Sequence, residues 1–175
     1  MKNIVFKLLH YLQFYFLIKN NQKNLFICDI DNTIADTWRF IPTNGMKISN
    51  TIYSKLPIFP SFTIILNEKF ANTECKVLFF TVRPISSWLT TLRWLKKNNF
   101  PSRLCDIYLF ATPGHKIDFL SSISNLGYNI TFLDDLSYNH ENGDVKFFIE
   151  EINRIKNINV TYVNSESILK IQNEL

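Results

Sequence analysis

The chain predicts a three-layer α/β fold, a parallel sheet of about five strands with helices on both faces. Three observations carry that expectation. Short apolar runs alternate along the chain with longer stretches of helical periodicity, the pattern of strand–helix–strand units. The runs lack polar alternation, so they read as strands buried on both faces. Several of them end on an acid or a hydroxyl: Asp29, Thr81 and Asp134 occupy the same point of the pattern. In open parallel sheets ligands bind beyond the carboxyl ends of the strands, so these residues are expected on one functional rim.

The elements follow in order. Residues 1–18 are rich in Phe, Leu and Tyr, interrupted by Lys7, His10 and Gln13 and followed by Lys19. The uncharged stretch is too short to span a bilayer. Its positive start resembles a signal peptide, but Lys19-Asn20-Asn21-Gln22-Lys23 offers no small-residue cleavage site. Residues 1–22 are therefore expected to form an apolar helix, packed on the domain or a partner, or lying in a membrane interface. Packing is favoured. The remainder, 23–175, reads as a single domain. Leu25-Phe26-Ile27-Cys28 is the first strand. Residues 34–57, with Pro42, Gly45 and Pro57, lack periodicity and form a loop or small flap. Ser61 is placed to cap a helix running to about Ala71. Lys76–Phe80 is a second strand, followed by a helix over about 85–98 with Trp88, Leu92 and Leu95 on one face. Asp106–Phe110 is a short third strand, and Thr112-Pro113-Gly114 opens a helix through Ile117 and Leu120. Asn129–Leu133 is a fourth strand, Val145–Ile155 a helix, Asn159–Val163 a fifth strand, and Ser165 the cap of a last helix.

Composition bounds the function. With 175 residues, 46% hydrophobic and 19% charged, the chain can bury a real core and is not disordered. A net charge of +4 fits an anionic substrate but offers no dedicated nucleic-acid-binding patch. Cys28, Cys75 and Cys105 lack metal-ligand spacing and read as buried free thiols. They point to a reducing, cytoplasmic setting, with membrane association left to residues 1–18.

The chemistry starts from Asp29 and Asp31. Residues two apart on an extended backbone point the same way, so both carboxylates should face one site. Such a pair repels unless a cation or a shared proton intervenes, which predicts a metal, an acid–base couple, or both. Adding Thr81, Lys116 and Asp134-Asp135 on the same rim supplies what phosphoryl transfer requires: cationic stabilisation, an in-line nucleophile and a proton donor. An aspartate can be that nucleophile.

In their order these residues resemble the four motifs of the haloacid dehalogenase superfamily of phosphohydrolases. Asp29-Ile30-Asp31-Asn32-Thr33 looks like the first motif, Thr81 the second, Lys116 the third, and Asp134-Asp135 with Asn139 the fourth. The resemblance implies a Rossmann-like domain of the small, capless kind, and it implies roles. Asp29 would attack phosphorus and bind Mg²⁺. Asp31 would protonate the leaving oxygen and then deprotonate water, a double role that calls for a raised pKa; its backbone carbonyl would also bind the metal. Thr81 and Lys116 would hold the phosphoryl oxygens, with Thr33 and Arg83 as further substrate contacts. Asp135 would complete the metal shell, Asp134 would be a second ligand or an outer partner, and Asn139 would orient a water or Lys116. Val82 and Asn32 depart from the family's commoner small residue and glycine, and asparagine tolerates the turn that glycine makes.

Residues 34–57 leave room only for a small flap, so the site should be open unless the first helix or a second subunit covers it. Trp38, Phe40 and Tyr53 in that flap could line the entrance, though burial against the sheet is the stronger reading. Open sites of the superfamily often serve polymers or large substrates. Residues 81–84 and the helix around Trp94-Leu95 also resemble the phosphatase half of polynucleotide kinase–phosphatases, a likeness too widely shared to fix a substrate. The leading expectation is a Mg²⁺-dependent phosphatase acting on a small phosphorylated molecule or a polymer end. The alternatives are a phosphotransferase with the same intermediate, or a non-catalytic phosphate- or lipid-binding domain. A homo-oligomer is compatible with each.

Overall fold

The computed structural model describes residues 2–19, 22–40, 48–138, 140 and 144–174; the side chains of residues 2–8 and of Trp38 are outside that description. Pro42 and Gly45 of the expected loop, and Asn139, therefore lie outside the described residues.

The elements run α1 (Lys2–Ile18), β1 (Asn24–Cys28), α2 (Asn50–Tyr53), α3 (Pro60–Ala71), β2 (Cys75–Thr81), α4 (Trp88–Lys97), β3 (Ile107–Leu109), α5 (Pro113–Ser124), β4 (Asn129–Leu133), β5 (Ser137–Tyr138), β6 (Lys146–Phe147), α6 (Ile149–Ile155), β7 (Thr161–Val163) and α7 (Ser165–Gln172). Five strands form one parallel sheet in the order β3-β2-β1-β4-β7. The expected fold class is thus the observed one. Strand β1 is central, with Cys28 level with Phe79 on one side and Leu133 on the other.

Alternation along the strands divides the core into two layers. Phe26, Cys28, Val77 and Phe79 face one side, where Phe62, Leu66, Trp94, Leu95 and Ile168 from α3, α4 and α7 cover them. Leu25, Ile27, Leu78 and Phe80 face the other, against Leu17, Ile117, Leu120 and Ile155 from α1, α5 and α6. All four β1 residues from Leu25 to Cys28 are at most 5% exposed, which is why their sequence reads as a continuous apolar run.

Helix α1 packs on the domain along the open edge of β3. An edge strand leaves a row of unpaired backbone groups. Here the Gln13 side chain donates to Ile107 O (2.7 Å) and the His10 ring donates through Nε2 to Leu109 O (2.8 Å), so α1 satisfies alternate carbonyls of that edge. Burial lowers the His10 pKa, against the opposing effect of its bond to Leu109. No helix among the described residues is long and apolar enough to cross a membrane.

Several local expectations are corrected. The stretch from Val145 does not start a helix: Lys146–Phe147 pairs antiparallel with Ser137–Tyr138, and the helix begins at Ile149. Aromatic neighbours favour a pleated surface when a partner strand lies within reach. Ser61 does not cap α3; Pro60 is its first residue, and the Ser61 hydroxyl is buried without a partner. The last helix is capped by Asn164, whose side chain accepts from Ser167 N (3.1 Å). All three cysteines are free, but only Cys28 is fully buried.

Candidate active site

Every strand of the sheet ends on the same rim, and three of those ends place the acids and the hydroxyl. Asp29 follows β1 directly, its backbone N–H donating to Leu133 O (2.8 Å), so β4 fixes the exit of β1. Thr81 is the last residue of β2, and Asp134-Asp135 follow β4. Thr112 caps α5 by accepting from His115 N (3.3 Å), which aims the first turn of that helix, and Lys116 with it, at the rim.

Lys116 is 3% exposed and bridges two acids, its Nζ donating to Asp29 Oδ1 (2.7 Å) and Asp134 Oδ2 (2.6 Å). Burial alone would lower its pKa, but Asp134 and Asp29 outweigh it and hold the ammonium charged. Burial pushes the Asp29 carboxyl well up; Lys116 opposes this, while Asp134 and Asp31 add to it. Burial likewise raises Asp135. Asp29, Asp134 and Asp135 each offer an oxygen within 4.8 Å of the others. One ammonium thus faces three buried carboxylates, a surplus of negative charge that a cation would relieve.

The acidic loop is tightly held. Leu136 takes a left-handed φ of 44°, uncommon for a branched side chain. Asp134 Oδ1 accepts its N–H (3.0 Å), and the side chain is buried, so the loop is fixed against that strain. Ser137 donates to Asp135 Oδ2, and its hydroxyl lies 2.6 Å from His140 Nε2. Asn32 has a φ of 61°, in keeping with the turn expected of it.

Three expected site residues take different places from those assigned. Thr33 is fully buried, donating to Asp135 Oδ1 (3.2 Å) and accepting from Asp135 N (3.3 Å), so it braces the acidic loop and contacts no open space. Arg83 lies behind Asp31, its side chain 0% exposed. Its Nε and Nη2 donate to the two Asp31 oxygens at 2.7 and 2.6 Å, its Nη1 donates to Thr91 Oγ1 (3.1 Å), and its guanidinium stacks 4.2 Å from the Tyr53 ring centroid. Thr81 is not turned to an open pocket either; its hydroxyl donates to Asp31 Oδ2 (3.2 Å).

The Asp31 carboxyl is consequently held low. Burial would raise its pKa, but the charge and hydrogen bonds of Arg83, with those of Thr37 and Thr81, carry it below the ordinary value. This overturns the expectation of a raised pKa at Asp31: the neighbour that decides is the guanidinium, not the carboxylate of Asp29. Thr37, which donates to Asp31 Oδ1 (2.8 Å), Thr91 and Tyr53 were not among the expected site residues. Thr37 and Thr91 carry no motif signal. Tyr53 was noted only as a flap aromatic; it is buried, and its hydroxyl is pushed up to about 12 by burial and Asp31. Phe40, from the same flap, is 43% exposed.

Asp29, Asp31, Lys116, Asp134 and Asp135 all line one open cavity of about 200 Å³. Ordinary small-molecule pockets span roughly 300–1,000 Å³, so this one encloses a reacting group and leaves most of a larger molecule outside.

No protein-family model matches the chain, and no curated protein matches it. Solved structures do. One is described as the Pnkp1/Rnl/Hen1 RNA repair complex, a chain of which is 15% identical with a TM-score of 0.55 over 83% of this chain and 44% of its own. Another, of the Pnkp1/Rnl/Hen1 complex, holds a chain 18% identical with a TM-score of 0.56 over 83% of this chain and 47% of its own. At such identities the likeness is one of fold. The chain spans less than half the length of either.

Proposed function

We propose that the chain is a phosphatase of the haloacid dehalogenase type, hydrolysing a phosphomonoester through an aspartyl-phosphate on Asp29. The observation that carries this reading is the gathering of Asp29, Asp31, Lys116, Asp134 and Asp135 around one cavity at the carboxyl rim, with Lys116 bridging Asp29 and Asp134. A structural core gains nothing from several buried acids around one lysine, because unpaired buried charge is costly.

Asp29, Asp134 and Asp135 fit a divalent cation by donor type, burial and mutual distance. Mg²⁺ held by them would supply positive charge that offsets both the carboxylates and an incoming phosphoryl group. The residues of the chain do the rest. An Asp29 oxygen attacks phosphorus, the bond from phosphorus to the leaving oxygen breaks, and Lys116 compensates charge beside the nucleophile. Water then attacks the aspartyl-phosphate, giving up its proton to Asp31. Ionised and oriented by Arg83, Thr37 and Thr81, Asp31 is prepared for that second role. To protonate the leaving oxygen in the first step it must take up a proton against Arg83. Leaving groups that depart as stable anions have no such need.

The substrate class supported best is a phosphate at the end of a large molecule. The cavity is small and open, and the fold neighbours belong to an RNA repair complex, which makes a polynucleotide end the natural candidate. The test is phosphate release from an aryl phosphate with and without Mg²⁺. Asp29→Asn is expected to lower the rate by roughly 10³-fold or more, the scale on which loss of a nucleophile acts. Strong residual activity in that variant would remove Asp29 from the role.

A further inference from the structure

One wall of the cavity is aromatic, and the phosphoryl chemistry has no use for it. Tyr138 and Phe148 line the same cavity as Asp29 and Lys116. Their ring centroids are 4.7 Å apart at an interplanar angle of 36°. The hairpin explains the pairing. Tyr138 lies opposite Lys146, and Phe148 is two residues beyond Lys146, so all three share one face of the ribbon. Phe148 is anchored, its N–H donating to Leu136 O (2.9 Å) in the loop that carries the acids. Tyr138 remains 43% exposed, and the Lys146 side chain, paired to Asp144 at 3.4 Å, is 53% exposed.

A half-exposed tyrosine resting on a second, anchored ring at the mouth of a catalytic cavity is a stacking platform rather than a core element. Because the cavity holds little more than the reacting phosphoryl group, the atoms next to the broken bond must lie over this wall. The neighbouring ammonium suits a further negative charge on the same molecule. We propose that Tyr138, supported by Phe148, stacks the nucleobase of a polynucleotide's terminal nucleotide while the phosphate on that nucleotide is removed, with Lys146 toward the next phosphodiester. This rests on the phosphatase reading above and assigns Tyr138 as a specificity-determining residue of that site.

The experiment compares kcat/KM of the full chain with Mg²⁺ on three substrates: a short oligonucleotide phosphorylated on its terminal nucleoside, the same oligonucleotide with an abasic phosphorylated terminus, and the matching mononucleotide. The base-bearing oligonucleotide is expected to be favoured over the abasic one by roughly 10-fold, mostly through KM, the scale of one base–aromatic stack. Tyr138→Ala should bring that ratio close to one, and Tyr138→Phe should keep it. Release from all substrates at a ratio near one, or a ratio unchanged in a folded Tyr138→Ala, overturns the stacking role and leaves the phosphatase standing. Equal kcat/KM on mononucleotide and oligonucleotide overturns the polymer end as the source of the base. No release from any of the three, nor from an aryl phosphate, sinks the phosphatase and the subsite together.

Discussion

Arg83→Met tests whether Asp31 is held by a buried charge pair. Arg83 gives Asp31 two charge-assisted hydrogen bonds, at 2.7 and 2.6 Å, with the guanidinium 0% and the carboxylate 24% exposed. Charge-assisted bonds contribute about 1.5–3 kcal/mol each, and removing one partner of a buried pair costs about 3–5 kcal/mol. The partial exposure of Asp31 places this case at the lower end, so Arg83→Met should lose about 3 kcal/mol, or roughly 6–12 °C in Tm for a chain of this size. Asp31→Asn should cost less, about 2 kcal/mol, because its amide oxygen still accepts a hydrogen bond. The double variant should lose about 2 kcal/mol less than the sum, since neither charge is then left without its partner. Urea denaturation of the four proteins measures all three quantities. A coupling energy below about 0.5 kcal/mol would refute the pairing, being no more than ordinary non-additivity. A kinetic sign follows as well: without Arg83 the Asp31 carboxyl keeps its proton to higher pH, so alkyl phosphates should gain rate relative to aryl phosphates.

Other outcomes follow from the same geometry. Mg²⁺ should raise the Tm of the chain, by about 2.7 kcal/mol of added stability at one hundred times its Kd, and Asp135→Asn should shrink that rise; an equal rise in the variant would place the ion elsewhere. Lys116→Met should destabilise the fold by about 3–5 kcal/mol, since it leaves Asp29 and Asp134 buried together without their cation. Mg²⁺ should recover more stability in this variant than in the parent, as differential scanning fluorimetry can show. His10 carries a pH dependence. Its folded pKa lies below 6.5, so the unfolded chain binds the extra proton first and stability falls as the pH drops from 6.5 through the lower folded value. His10→Gln, which retains a donor for Leu109 O, should lose less Tm than the parent over that range; identical losses would show that the ring is not buried against β3.

The sheet is legible in the sequence because its central strands are buried on both faces, and continuous runs such as Leu25–Cys28 and Val77–Phe80 have no other simple explanation. The same burial places Asp29 and Asp134 at strand exits. Less legible is what neighbouring elements do to one another. Arg83 reads as a phosphate contact from its position beside Thr81, yet a bidentate carboxylate was available 52 residues earlier in the chain, and Tyr53 from the flap closed over it. That pairing reverses the direction of the Asp31 pKa, which no local pattern could reveal. The β5–β6 hairpin was missed for a related reason: two-residue strands carry no periodicity, and only the pairing of Tyr138 with Lys146 defines them. Caps misassigned to Ser61 and Ser165 lie one residue inside the true boundaries, at Phe59-Pro60 and at Asn164.

The central claim is that Asp29 itself bonds to phosphorus, and trapping that bond tests it most directly. The chain is mixed with an aryl phosphate and Mg²⁺, quenched in acid within the first turnovers and digested, and the fragment spanning β1 is weighed. One added phosphoryl group on Asp29, enriched in Asp31→Asn where water is no longer activated and missing in Asp29→Asn, is the expected result. Turnover that continues with an unmodified Asp29, or a phosphoryl group found on another side chain, would contradict it.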